Sequence, residues 1–432
     1  MSLRDEANII KNYNKNLKKS IHSTNRNDIF LVVAILIMAV TPLVIWFFYN
    51  YFIKESEPGE ILLLVSAQSE ELFGKELMEN LIKEYEEKKH GIRIYTVHDA
   101  RSSNAALQTE PDIYFFDEGE ISFLSGAGLL AELNSYTNFD SGARQTAIPL
   151  VSYMDLFFYN IDVLTAAGVI SPPKTRDEFL AGARAVAGSN SGASALAVSL
   201  SRDDRRALSR DIFSWMLASG NYVWSEDGRP SFNTRLAVND FTFFGALYRE
   251  GLLAPGVFNT TGDQRIEQFA QGRIAMMIAS SREIPYLRER MGDSRFGITT
   301  IPDVVTGERY SAGISAIYAG MSANTRHPQE AWEFLVFLAE KSPFLCAELK
   351  AIPGIAAKII PGDYINDDPF YSKAWGIFEF AYIAESFADK PGADEYYDVF
   401  LDELEIFFDS GRTSQQAVTA IQQRWNDIFD GK

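Results

Sequence analysis

Residues 29–53 (IFLVVAILIMAVTPLVIWFFYNYFI) make one uncharged, almost wholly apolar run. A helix at about 1.5 Å per residue carries this run past a hydrocarbon core of about 30 Å, so the pattern predicts a membrane-spanning helix. Pro42 in its middle is tolerable in lipid, and Trp46, Tyr49 and Tyr51 near its far end suit the interface. Beyond it the hydrophobicity turns periodic. Residues 61–65 read as a buried strand; a helix opens after Ser66 to Ser69, turns Phe73, Leu77, Leu81, Ile82 and Tyr85 inward, and ends at Gly91. Residues 92–97 and 112–116 read as the next strands, and residues 156–160, 195–200, 274–279 and 296–301 as later ones, with helical periodicity between. The tail predicts two helices. Tyr397, Phe400, Leu401, Leu404, Phe407 and Phe408 line the first, Gly411 breaks it, Thr413 and Gln416 form a capping box, and Val418, Ile421, Trp425, Ile428 and Phe429 line the second. Strands alternating with helices predict an α/β fold with parallel-type sheets and right-handed crossovers.

Charge orients the first helix. Arg4, Lys11, Lys15, Lys18, Lys19 and Arg26 outnumber Asp5, Glu6 and Asp28 in residues 1–28, which the positive-inside rule keeps in the cytoplasm. The rival reading, a cleaved signal peptide, calls for a shorter apolar stretch of about 7–15 residues and small residues at the cut; KESEPGE follows instead. Residues 54–60 then form a linker to an exterior part. Six of the 40 basic and three of the 58 acidic residues lie in the first 53, which leaves −21 for the remainder. Such a surface repels nucleic acid and anionic headgroups. The single cysteine, Cys346, excludes an internal disulfide and lies in a predicted apolar helix as a core residue. Some 380 exterior residues exceed what one core usually supports, so two lobes are expected.

Open parallel sheets bind ligands beyond the carboxyl ends of their strands, where helix N-termini offer free N–H groups. Ser66 and Gln68 after the first strand, and Asp117 and Glu118 after the strand ending at Phe116, occupy such positions. For Ser66 and Gln68, helix capping is an equal alternative. Catalytic signatures are missing. His22, His90, His98 and His327 have no metal-ligand spacing, no G-x-S-x-G elbow occurs, and Gly74-Lys75-Glu76 is not a P-loop. No metal, cofactor or enzymatic activity is expected.

Several segments together resemble the extracellular (periplasmic) solute-binding proteins of ABC importers, family 1, the maltose-binding-like, carbohydrate-associated group. They are PDIYFFDEGEISFLSGAGLLAEL (111–133), FFYNIDVLTAAGVISPPKTRDEFLAGARAVA (157–187), EQFAQGRIAMMI (267–278), YSAGISAIYAGMSANTRHPQEAWEFLVFLAE (310–340) and IPGIAAK (352–358), in the family's order. The resemblance implies a two-lobed periplasmic-binding-protein fold of the type II, Venus-flytrap kind. Lobe 1 would take 61–150 with 312–360 and lobe 2 would take 151–311 with 361–432, with crossovers near Pro149 and near 310–312. It implies a carbohydrate ligand enclosed between the lobes, delivery to permease subunits in the same membrane, and a monomer held on the exterior side by residues 29–53.

Sugars combine apolar faces with hydroxyl edges, so their sites need aromatic platforms and hydrogen-bonding rims. By resemblance, Trp215 and Trp375 would stack on sugar, Asp117 and Glu118 would accept from hydroxyls, and Gly313 with Ser315 would let backbone approach the ligand. Tyr153 and Asp155 past the first crossover are weaker additions. For both tryptophans a buried helix aromatic is the alternative. The aromatic residue that the family often carries after the first strand is replaced by Ser66-Ala67-Gln68, and the loop around Ile355 lacks the usual basic residue. A binding pair of lobes serving as sensor or scaffold without a transport partner, or an extracellular glycoside-active enzyme, are the alternatives.

Overall fold

The computed structural model describes residues 60–98, 109–117, 120–133, 146–225, 227–303, 310–353, 363–379, 381–383 and 392–431. The spanning helix expected over 29–53, Glu118 and the loop around Ile355 lie outside these residues. Among the described residues no helix is long and apolar enough to cross a membrane. Backbone proximity divides the chain into residues 1–62 with 89–93 and residues 63–88 with 94–432, and every site residue below belongs to the second unit.

The strands are β1 (Ile61–Ser66), β2 (Ile92–Val97), β3 (Ile113–Asp117), β4 (Ile148–Asn160), β5 (Ser194–Ala197), β6 (Ile274–Ser280), β7 (Phe296–Thr299), β8 (Tyr310–Ala312), β9 (Ile314–Met321), β10 (Ile352–Pro353) and β11 (Ala381–Ile383). They form one sheet in the order β2-β1-β3-β9-β4-β6-β5, with β7 and β10 also on β4, and a separate β8–β11 pair. The sheet is mixed, not parallel-type as the sequence suggested. β1–β3 and β5–β6 run parallel, whereas β9 lies antiparallel to β3 and to β4, and β6 antiparallel to β4. The antiparallel members are the long strands that return through the sheet, and nothing local in their sequence records direction.

β4 is 13 residues long and changes partners midway. Tyr153 and Met154 face Ser315 and Ile314 of β9, and from Asp155, which faces Ser280, the strand pairs with β6. Its second half is covered on both faces, as a continuous apolar run requires. Phe157 points into one core with Phe179, Trp215 and Phe400, and its neighbour Phe158 into another with Phe269, Met277 and Phe296.

The helix expected after β1 is two, α1 (Gln68–Phe73) and α2 (Lys75–Lys88), because Gly74 adopts φ +87° and breaks the ladder. Ser69 caps neither; it is fully buried, with its hydroxyl unpartnered among the described residues. Further on, α3 (Arg176–Gly188) packs on β5 and α6 (Gly262–Ala270) on β6, while α4 (Ser214–Ala218) lies against β8 and α5 (Arg235–Arg249) against α4 and the two tail helices. The tail folds into the two helices expected, α7 (Ala393–Ser410) and α8 (Ser414–Phe429), parted by Gly411 at φ +70° and with the Thr413–Gln416 capping box starting α8, though Phe408 and Ile428 are only half-buried and Phe429, at the last turn, is exposed. Phe400 of α7 and Trp425 of α8 close on Phe232, with ring centroids 5.8 and 4.9 Å away.

Candidate functional site

The point where β4 changes partner and the link from β8 to β9 meet at Asp155 and Gly313. The Asp155 N–H donates to the Gly313 carbonyl at 2.8 Å. Above that bond the Asp155 carboxylate leans over Gly313, where a Cβ would meet Oδ2 at 2.3 Å and Ser214 Oγ at 3.5 Å. Only glycine permits this approach. Ser214, the first residue of α4, donates its hydroxyl to Asp155 Oδ2 at 3.2 Å.

Charged groups gather around this crossing from the segment after β5, at the carboxyl end of that strand. A π-helical turn, Ser209–Phe213, precedes α4; such turns are rare and frequently lie at functional sites. It carries Arg210 and Asp211. Arg210 Nε donates to Asp211 Oδ1 at 2.8 Å, and Asp211, 3% exposed, accepts the Ser199 N–H at 2.7 Å through its other oxygen. Asp204 accepts the Gly262 N–H at the start of α6 at 2.6 Å and the Ala207 N–H at 3.1 Å, so it satisfies donors at two helix N-termini.

Burial and charge oppose each other here. Burial pushes the Asp155 carboxyl up to about 6, although Arg210 and the Ser214 hydroxyl pull it down. Burial likewise raises Asp211 against the pull of Arg210, and raises Glu283 against Arg210 and Arg282. For Arg210 burial pulls the other way, but Asp211, Asp155 and Asp204 outweigh it and hold the guanidinium above its ordinary value.

The expected site residues divide by surroundings. Asp155, Gly313, Ser315 and Tyr153 come together at the crossing, with Ser315 exposed on β9 opposite Tyr153. Tyr153 is itself buried beneath Arg282, whose guanidinium lies 5.6 Å from the ring centre, and burial pushes its phenol up to about 12. Asp117 ends β3 and is half-buried, and Gln68 begins α1, half-buried. Ser66 is structural: fully buried, its hydroxyl accepts the Phe115 N–H at 2.9 Å and ties β1 to β3. Trp215 corrects the sequence expectation most sharply. It is 1% exposed, with rings of Phe179, Phe243 and Phe157 at 5.0, 5.2 and 5.7 Å, which leaves no face for a ligand. Trp375 is half-buried and stacks on Phe378 at 5.3 Å.

Arg210, Ser214, Asp204 and Asp211 escaped the sequence reading. The signal was present, since SRDDRRALSRD (201–211) is a dense polar stretch directly after an apolar strand, where an α/β sheet places its ligand-facing residues. Among the described residues no group of three His, Cys, Asp or Glu side chains is placed to hold a metal ion.

Known proteins resemble this chain in sequence and in fold. A binding protein of Brucella abortus (strain 2308) is 26% identical over 199 residues, which are 45% of this chain and 46% of that protein, so the chain spans about half the length of this relative. The galactooligosaccharide-binding protein of Bacillus subtilis is 25% identical over 302 residues, 62% of this chain and 68% of its own. In structure, the cyclic alpha-maltosyl-1,6-maltose binding protein from Arthrobacter globiformis superposes with a TM-score of 0.70 at 16% identity, covering 87% of this chain and 100% of that one. The fold is therefore the two-lobed periplasmic-binding-protein fold with a mixed α/β sheet. The family model for bacterial extracellular solute-binding proteins matches residues 67–342, more than half of the sequence, and this chain belongs to that family.

Proposed function

We propose that the chain captures a carbohydrate between its lobes and delivers it to an ABC-type permease in the membrane that residues 29–53 span, with residues 1–28 in the cytoplasm and the binding lobes outside. The lobes are residues 61–150 with 312–360 and residues 151–311 with 361–432. The observation that carries this reading is the polar cluster at Asp155 and Gly313, where the change of partner in β4 meets the start of β9. A ligand touching residues on both sides of that crossing favours the closed arrangement by its differential affinity. Gln68, Asp117, Gly313 and Ser315 supply one wall, with Glu118 next to Asp117 in sequence, and Asp155 supplies the other. The binding proteins named above, two of them named for the oligosaccharides they bind, support a sugar as cargo. The lobes work as a monomer.

The test is a thermal-shift screen of the full chain in lipid nanodiscs against galactooligosaccharides, maltooligosaccharides and their monosaccharides. Ligand at about 100 times Kd adds about 2.7 kcal/mol, so a true ligand raises the midpoint visibly. A cooperative baseline with no shift for any sugar overturns the carbohydrate assignment. The seven residues 54–60 tether the lobes at high effective concentration near the permease. Cleavage after residue 53 should leave binding intact and slow uptake, whereas unchanged uptake would reduce the helix to a localisation device.

A further inference from the structure

The helix Ser342–Leu349 ends at Lys350, the only non-glycine residue with positive φ (φ +53°, ψ 37°) among the described residues. A lysine in the left-handed region carries backbone strain, which persists only where surrounding contacts hold it and which clusters in switch regions. Those contacts come from two directions. The Ala351 N–H donates back to the Cys346 carbonyl at 2.9 Å, and Ile352 and Pro353 pair with Ser152 and Val151, just before β4 changes partner. From the other direction, the Tyr364 hydroxyl donates to the Ala351 carbonyl, and the Lys350 ammonium stands 5.5 Å from the centre of the Tyr364 ring. One side chain thus grips two consecutive residues. Burial pushes the Tyr364 phenol up, which keeps its proton in place to donate. Its neighbour Tyr371 meets it edge-on at 5.9 Å and is covered by Arg288, itself paired with Asp368. Both tyrosines pack in the core that holds Phe269, Met277 and Phe296.

On the lobe division proposed above, Lys350 and Ala351 belong to lobe 1 and Tyr364 to lobe 2. Resting on that capture reading, we propose that Tyr364 is an interlobe clasp, a positioning residue that sets the balance between open and closed lobes without touching the sugar. Lys350 and Ala351 move with β10, whereas Tyr364 moves with Tyr371 and Phe296, so rotation of one lobe against the other changes the grip. A contact that differs between two arrangements weights their equilibrium, and the apparent affinity for a ligand scales with the population of the arrangement that binds it.

The test reads lobe separation directly. Nitroxides on Lys83→Cys and Ala181→Cys, exposed helix positions in lobes 1 and 2, give the distance distribution of the full chain in nanodiscs by pulsed electron resonance, while Cys346 is buried from the label. Tyr364→Phe removes only the hydroxyl and should change the ratio of the two arrangements about threefold or more, the effect of one lost hydrogen bond. Tyr371→Phe is the matched control, because its hydroxyl has no partner among the described residues, and it should leave the distribution unchanged. Calorimetry with a sugar found by the screen should then give a Kd for Tyr364→Phe that moves by the same factor as the closed fraction. A Tyr364→Phe distribution that superimposes on the parent overturns the clasp, as does an equal response from Tyr371→Phe. A changed Kd with an unchanged distribution makes Tyr364 a ligand contact and overturns its positioning role. Failure of every sugar to bind the parent overturns the capture reading, and the distances alone then decide the clasp.

Discussion

Asp155→Asn should stabilise the folded chain by an amount that grows as pH rises. Burial lifts the Asp155 carboxyl from 3.8 to about 6, against the pull of Arg210 and Ser214. A folded-state value above the unfolded one means that the folded chain holds this proton more tightly. Between about pH 4 and about pH 6 the unfolded state therefore binds fewer protons, and the parent loses stability as pH rises. At about 1.4 kcal/mol per pH unit the full gap is worth roughly 3 kcal/mol, and partial solvent access reduces the expected figure to about 1–2 kcal/mol. Asparagine has no such proton to lose. Urea unfolding of both proteins, followed by tryptophan fluorescence from about pH 4 to about pH 7, gives the difference directly, with other titrating groups cancelling. The gap should be smallest at the acid end and widen to a plateau above about pH 6. A gap that stays flat, or one that narrows with rising pH, would mean that Arg210 prevails over burial at this position and would refute the reasoning.

Two further substitutions probe the crossing and the neighbouring core. Gly313→Ala drives a Cβ to 2.3 Å from Asp155 Oδ2, so it should displace the carboxylate and cost about 1–3 kcal/mol in chemical unfolding; a neutral result would mean the two crossings are looser than described. Trp215→Ala empties a 1%-exposed site among Phe157, Phe179 and Phe243 and should cost about 3–5 kcal/mol, whereas normal unfolding with lost sugar affinity would restore the indole to the ligand.

The strands best read from sequence are those buried on both faces. IAMMIA (274–279) and LFFYN (156–160) sit inside β6 and β4 because an unbroken apolar run of that length suits a covered strand. The tail helices were legible for local reasons, a left-handed glycine and a capping box. What stayed hidden depends on distant partners. Nothing in PLVSYMD records that β4 leaves β9 for β6 between Met154 and Asp155, because the exchange is set by strands more than a hundred residues away. Trp215 misled for a related reason. A tryptophan on a helix near a polar strand end fits a platform or a core equally well, and only Phe179 and Phe243, brought by α3 and α5, decide it. Gly313 was singled out for close backbone approach, and the structure fills the space above it with Asp155.

The packing of α7 and α8 carries a consequence for how the chain is made. Phe400 and Trp425 share a core with Phe157 and Phe179, so the middle of the protein relies on side chains near its far end. Until those last helices emerge, Phe232 and Phe241 have no aromatic lid, and what has already been synthesised stays without a finished interior. The central core is therefore closed last in the order of synthesis, by α7 and α8.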